Sequence, residues 1–372
     1  MERLIAFSLL LLATAGLGAS PKLAETPAVA VFEAKKNLPH ASVRIPALLR
    51  TTKGALIAVA EGRDKATDQA GNDLVVALSK DGGRSWSKPA IAYEQGDDSC
   101  NNPCLVQDAK SGRVFLFFQT FPAGGKEFGG LPVGPKDPKG NRVKFVSSDD
   151  EGATWSKPVD VSDTLKPDNA VTCASGPGVG IQLRTGKLAG RLLIPFNSQD
   201  PKRNFVNWVG YSDDGGKSWQ RGAEVPQEGM QLNEVQVAET TGGAVYLNSR
   251  RWKGAPLRKV SWSQDGGATW TKAADDAGLP EPTCQGSLLA ANVAGQPAVF
   301  FLNPAGKGRA NGTLRRSDDG GKTWTESTLL FPGPFAYSSM AKVGTDIGVL
   351  YEPNSNTVVL YRAIVGVGLE GQ

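Results

Sequence analysis

The chain has 372 residues, with 41 Lys and Arg against 37 Asp and Glu, for a net charge of +4. So mild and evenly spread a charge excludes a protein whose main partner is nucleic acid or an anionic membrane surface. The single histidine, His40, excludes a multi-histidine metal centre and argues against a Ser-His-Asp hydrolase.

The first predicted element is an export signal over residues 1–20. Glu2 and Arg3 open it, residues 4–12 are apolar, and residues 13–20 are rich in small side chains. The apolar run is too short for a comfortable membrane span, which favours a cleaved signal over an uncleaved membrane anchor. The remainder, 21–372, is expected to form one domain outside the cytoplasm, in the periplasm or the medium, with no membrane span once the signal is cleaved. The four cysteines, Cys100, Cys104, Cys173 and Cys284, could pair there or stand as free buried thiols. Cys100 and Cys104 lack a second close pair, so no zinc site is expected.

After the leader, short strands follow one another. Residues 43–49, 55–60, 74–78, 114–118, 143–146, 191–194, 206–210, 244–247, 298–301 and 357–361 are apolar runs of strand length, with no long amphipathic helix between them. Gly (45 residues) and Pro (24) supply the turns. Residues 121–141 form a long Gly-, Pro- and Lys-rich loop, a candidate rim for a central site. Residues 176–180, with Gly176, Pro177, Gly178 and Gly180, read as a tight turn, because no Gly-Lys-Ser/Thr follows to make a phosphate loop.

Five segments share the pattern Ser-x-Asp-x-Gly-x-Ser/Thr-Trp. They start at Ser79, Ser148, Ser212, Ser263 and Ser317 and end at Trp86, Trp155, Trp219, Trp270 and Trp324, at intervals of 69, 64, 51 and 54 residues. Each is a hairpin turn. The Asp can accept turn amides, the Gly supplies positive φ, and the Trp packs as an apolar plug at the start of the next strand. None has the ligand spacing of a calcium loop. Repeats of this length imply an all-β chain, a six-bladed β-propeller in which one blade lacks a recognisable box.

Several charges sit in apolar strands: Arg44, Glu234, Arg250 and Glu352. Such charges must be paired or face a functional cavity, and a propeller has a central channel. With Arg44, Ile45 and Pro46 ahead of five Asp boxes, the chain resembles the exo-sialidase (neuraminidase) family with Asp-box (BNR) repeats, over about residues 28–364.

The resemblance implies a set of roles. Arg44, Arg250 and Arg309 would bind the carboxylate of a sialic acid. Arg63, and Asn102 where other members carry Asp, would contact the sugar. Asp68 would be the acid/base, Tyr337 the nucleophile and Glu234 its partner, with Glu352 holding Arg44. Three converging arginines suit a carboxylate on the anomeric carbon. A tyrosine nucleophile avoids the repulsion a carboxylate would meet there. Nearby arginines are expected to favour its phenolate.

The implied activity is exo-α-sialidase hydrolysis of terminal sialic acids by a retaining mechanism. The expected partners are sialylated glycoproteins, glycolipids and oligosaccharides, the expected state a monomer, and no cofactor or metal is implied. Two alternatives stay open. One is the same fold acting on a related 2-keto sugar acid or as a trans-sialidase. The other is a non-catalytic glycan-binding propeller, which need not keep Asp68, Glu234 and Tyr337 together.

Overall fold

The computed structural model describes residues 23–353 and 355–370; the expected export signal lies outside them. Strands dominate because β-branched and aromatic residues alternate with Gly-containing turns over short runs. The strands form six antiparallel-centred sheets, the blades of a β-propeller.

The first blade comprises Ser42–Arg50, Leu56–Arg63, Asn72–Ser79 and Ala90–Tyr93. The second comprises Ser99–Gln107, Val114–Phe121, Arg142–Ser148 and Val159–Asp160. In the third, Thr172–Ser175 pairs with Leu192–Gln199, followed by Phe205–Ser212 and Gln220–Arg221. The fourth is Leu232–Glu239, Val245–Arg251, Leu257–Ser263 and Ala274–Pro280. The fifth is Ser287–Val293, Gln296–Pro304, Ala310–Ser317 and Glu326–Pro334.

The sixth blade closes the ring. Its strands Ser338–Val343, Asp346–Tyr351 and Val358–Val365 come from the end of the chain, and its outer strand, Val29–Glu33, from the beginning. This accounts for five boxes in six blades. In the first five blades the box joins the third strand to the fourth. In the sixth, the fourth strand arrives from more than 300 residues away in sequence, so no such turn exists.

Each box is a closed hydrogen-bond circuit. In the first, Gly83 N donates to Ser79 Oγ at 2.8 Å and Ser79 Oγ to Asp81 Oδ1 at 2.8 Å. Ser85 gives its backbone and side-chain hydrogens to Asp81 at 3.0 and 2.5 Å. The other four repeat the pattern. Hydrogen bonds from Ser218 hold the Asp214 carboxyl down at about 2. The second glycine of the box has no room for a side chain: at Gly216, φ is +85° and a Cβ would stand 2.2 Å from Phe115. The tryptophans stand in the connection ahead of the outermost strand, and plug the gap between blades.

The core lies between adjacent sheets. Leu48 and Ala58 of the first blade pack on Leu350 and Val359 of the sixth. Phe117 and Phe145 of the second pack with Phe196 and Trp208 of the third. Residues 176–180 are more than a turn. Gly178–Val179 runs parallel to the innermost strand of the second blade, pairing with Cys104 and Leu105. Gly176 permits this, since a Cβ there would lie 2.0 Å from the Val235 carbonyl oxygen. All four cysteines are buried and unpaired. Among the described residues, no helix is long and apolar enough to cross a membrane.

Trp219, 6% exposed, meets Phe117 edge-on at 4.7 Å and Phe115 at 5.9 Å. Trp219→Ala is expected to cost roughly 3 kcal/mol or more of unfolding free energy. Thermal denaturation checks this: loss of turnover at an unchanged melting temperature would contradict a structural role for the boxes.

Candidate active site

The channel ends of the innermost strands carry the charges. Arg44 lies near the start of its strand, where the register with the second strand breaks between Arg44 and Ala47. Ile45 occupies the left-handed region at φ +61°, an uncommon and strained conformation for a β-branched residue. Glu352 holds it there, accepting Ile45 N at 2.7 Å with one carboxylate oxygen. The other oxygen accepts Arg44 Nη2 at 2.7 Å and Nε at 3.2 Å. Glu352 is 1% exposed, so the pair is a buried clasp between the last blade and the first.

Tyr337 stands at the head of the sixth blade's innermost strand. Glu352 N donates to its carbonyl at 2.9 Å, which extends the ladder past Ser338. Its hydroxyl donates to Glu234 Oε1 at 2.6 Å, and accepts Arg250 Nη1 at 2.9 Å. The same Nη1 donates to Glu234 Oε2 at 2.7 Å. The guanidinium carbons of Arg44 and Arg309 lie 5.0 and 5.2 Å from the centre of the tyrosine ring. Three arginines from three blades therefore converge on Tyr337. Arg309 donates only weakly, to the Thr283 carbonyl at 3.5 Å, and forms no ion pair among the described residues.

The arginines act in the expected direction, toward phenolate, but are outweighed. Burial, and then the Glu234 charge, push the Tyr337 phenol well above its ordinary value, and Arg250 and Arg309 only oppose this. The tyrosine is a neutral phenol that donates to a carboxylate. Arg44 is raised in turn: burial opposes its charge, and the Glu352 carboxylate outweighs that.

Arg63 ends the second strand of the first blade. It pairs with buried Glu61 at 2.6 Å and with Asp68 at 3.0 Å. Asp68 sits on the loop after it with its side chain 69% exposed at the cleft. The Asp68 carbonyl is fixed by Asn72 Nδ2 at 2.6 Å and Asn101 Nδ2 at 2.8 Å. Asn102 also lines the cleft. It repeats the geometry of Ile45: φ +56°, a following proline, and its N–H donated to a buried carboxylate, here Glu61 at 2.7 Å.

One cleft thus brings together Arg44, Arg63, Asp68, Asn102, Glu234, Arg250, Arg309 and Tyr337; Glu352 is just behind it. Its wall also includes Glu127, Phe128 and Trp252, which the sequence did not single out. The only signal for Glu127 and Phe128 was their place in the long loop 121–141. Glu61 was legible only as a neighbour of Arg63.

Residues 54–350 match the BNR repeat-like domain family. The chain is 32% identical over 358 residues to an exo-alpha-sialidase of Aspergillus fumigatus, covering 87% of this chain and 82% of that one. It is 33% identical over 329 residues to a sialidase of Micromonospora viridifaciens, covering 84% of this chain and 50% of that one. The solved structure of Hadza microbial sialidase Hz136 superposes with a TM-score of 0.78 at 27% identity, over 88% of this chain and 66% of that one. The chain belongs to the sialidase family with BNR repeats. It spans half the length of the Micromonospora relative.

Removing one partner of a buried ion pair leaves the other uncompensated. Glu352→Gln is expected to cost on the order of 3 kcal/mol of stability, measured by chemical denaturation. An unchanged midpoint and slope would mean that the clasp does not hold the ring closed.

Proposed function

We propose that the protein is an exported exo-α-sialidase that hydrolyses terminal α-linked sialic acids by a retaining mechanism, with Tyr337 as nucleophile. The observation that carries this reading is the Tyr337–Glu234–Arg250 triangle beneath two further arginines. A phenol buried beside a carboxylate is not an efficient place to bind a neutral sugar. It is a suitable place to deliver an oxygen nucleophile while its proton leaves to a waiting base.

Arg44, Arg250 and Arg309 take the substrate carboxylate and fix the anomeric carbon over Tyr337 Oη. Arg44 and Arg250 are positioned by Glu352 and Glu234; Arg309 brings a charge not met by any ion pair in the described residues. As Tyr337 Oη bonds to the anomeric carbon, its proton passes to Glu234 and Asp68 protonates the departing glycosidic oxygen. Asp68 then takes a proton from water as that water displaces Tyr337, and Glu234 returns the phenol proton. Two displacements give retention. The exposure of Asp68 suits a group that must meet both the leaving group and water. Arg63 orients it, and Asn102 lines the wall where the sugar would lie. Export rests on residues 1–20.

A binding propeller is less favoured, because nothing in glycan binding requires a phenol donating to a carboxylate. The test is release of 4-methylumbelliferone from its α-N-acetylneuraminide, run beside the deaminated analogue. Tyr337→Phe removes only the phenol oxygen and should lower kcat by about a thousandfold or more. KM should change far less, since the arginines remain. Near wild-type turnover by the Phe variant would refute the nucleophile assignment.

A further inference from the structure

The strands that carry the active site have a second set of ends. Arg44 and Tyr337 stand at or just before the starts of the innermost strands of the first and sixth blades, and Arg50 and Lys342 stand at or near their other ends. A buried polar layer crosses the channel between them. Gln285 Nε2 donates to the Ser338 carbonyl at 3.0 Å, Gln236 Nε2 to the Pro177 carbonyl at 3.0 Å, and Leu48 N to Ser339 Oγ at 3.0 Å. On the far side of this layer lies a cavity of ≈ 490 Å³ that shares no lining residue with the cleft.

Strand alternation sets the character of its walls. Side chains two positions apart share one face of a strand. Leu48 and Arg50 of the first blade, Val237 and Glu239 of the fourth, and Met340 and Lys342 of the sixth are such pairs, and all line the cavity. The inner member of each pair is apolar and fully buried. With Leu288 of the fifth blade these three make the floor. The outer member of each pair is charged and stands toward the mouth, where Arg184 joins from the loop after Ile181–Gln182. The result is an apolar floor under a charged rim.

The rim charges do not cancel. Glu239 is engaged by its own neighbours: it accepts Arg184 N at 2.9 Å, Thr185 N at 2.8 Å and Thr185 Oγ1 at 2.7 Å, and lies 3.6 Å from Arg184 Nε. The side chains of Arg50 and Lys342 make no hydrogen bond or ion pair with any described residue. Burial, and then the charges of Arg50 and Arg184, push the Lys342 ammonium below its ordinary value. Cations crowded around one mouth and partly withdrawn from water cost free energy that a bound anion would offset. A concave, mostly apolar pocket of roughly 300–1,000 Å³ with a few convergent polar groups is the form that small-molecule sites take.

We propose that this cavity is a second ligand site, at the opposite end of the channel from the catalytic cleft, and that it binds a fatty carboxylate. Arg50 and Lys342 would hold the carboxylate, with the alkyl chain laid against Leu48, Val237, Leu288 and Met340. The two halves of the site select this class together. A neutral lipid leaves the cations without a counter-charge, and a short anion leaves the apolar floor in water.

The experiment is isothermal titration calorimetry at pH 7 with octanoate below its micellar concentration, and with octan-1-ol and acetate to test the charge and the chain separately. Octanoate should saturate one site per chain, with octan-1-ol and acetate bound at least about tenfold more weakly. Lys342→Met should weaken octanoate about tenfold. Arg50→Gln, at an exposed position, should do the same and keeps the test decisive if Lys342→Met does not fold. Ala290→Phe, which places a ring inside the cavity, should abolish binding. Melting temperatures establish that each variant is folded. None of the three residues belongs to the catalytic machinery, so turnover of the umbelliferyl sialoside should be unchanged. Loss of turnover together with binding would mean that the substitutions act through the fold, and would overturn the site. Absence of saturable binding, octan-1-ol bound as tightly as octanoate, or an affinity unmoved by all three substitutions would also overturn it. A protein that binds octanoate as described but releases no sialic acid would refute the sialidase reading and leave this site standing.

Discussion

The structure depends on one buried ion pair. Arg44 and Glu352 lie at opposite ends of the sequence, and Glu352 must lose water for the ring to close. The carboxylate recovers that cost by serving three donors at once: two from the guanidinium and the backbone N–H of Ile45. The strained conformation of Ile45 and the direction of Arg44 are therefore set by the same group. The outer strand Val29–Glu33 completes the sixth blade by ordinary strand pairing, but the clasp ties that closure to the geometry of the cleft.

The device is used twice. Ile45 before Pro46 and Asn102 before Pro103 both take positive φ at a break in strand register, and both give their N–H to a buried glutamate that also holds an arginine. Bulges of this kind re-aim side chains at the ends of strands. Here they turn the innermost strands of adjacent blades so that polar groups face one point on the channel. Each guanidinium is thus fixed before any ligand arrives, and little ordering is left for binding to supply.

Much of this was legible in the sequence for a physical reason. An Asp box is a local circuit of hydrogen bonds within eight residues, so its pattern survives in the chain and marks the third-to-fourth strand turn of five blades. Charges inside apolar strands, such as Arg44 and Glu234, also announce a cavity. What was not legible depends on distant contacts. The sixth blade has no box because its outer strand comes from the other end of the chain. Glu127 owes its position to Phe128 meeting Trp252, 124 positions later in the sequence. The protonation of Tyr337 could not be read from its arginine neighbours, because burial and Glu234 outweigh them.

The neutral phenol also makes the chemistry economical. A tyrosinate held at rest would compete with the substrate carboxylate for Arg44, Arg250 and Arg309. In the mechanism proposed above, a phenol bonded to Glu234 would leave those charges to the substrate and become a nucleophile only as its proton passes to Glu234 along an existing hydrogen bond, whose oxygens lie 2.6 Å apart. The most direct measurement is peptide mapping after reaction with a 2,3-difluorosialosyl donor, whose fluorine at C3 slows hydrolysis of any covalent intermediate. The expected result is one sialosyl group on the peptide that carries Tyr337, attached at its phenol oxygen. A label on Glu234 or Asp68, or no covalent adduct in a protein that turns over the unfluorinated donor, would contradict the account.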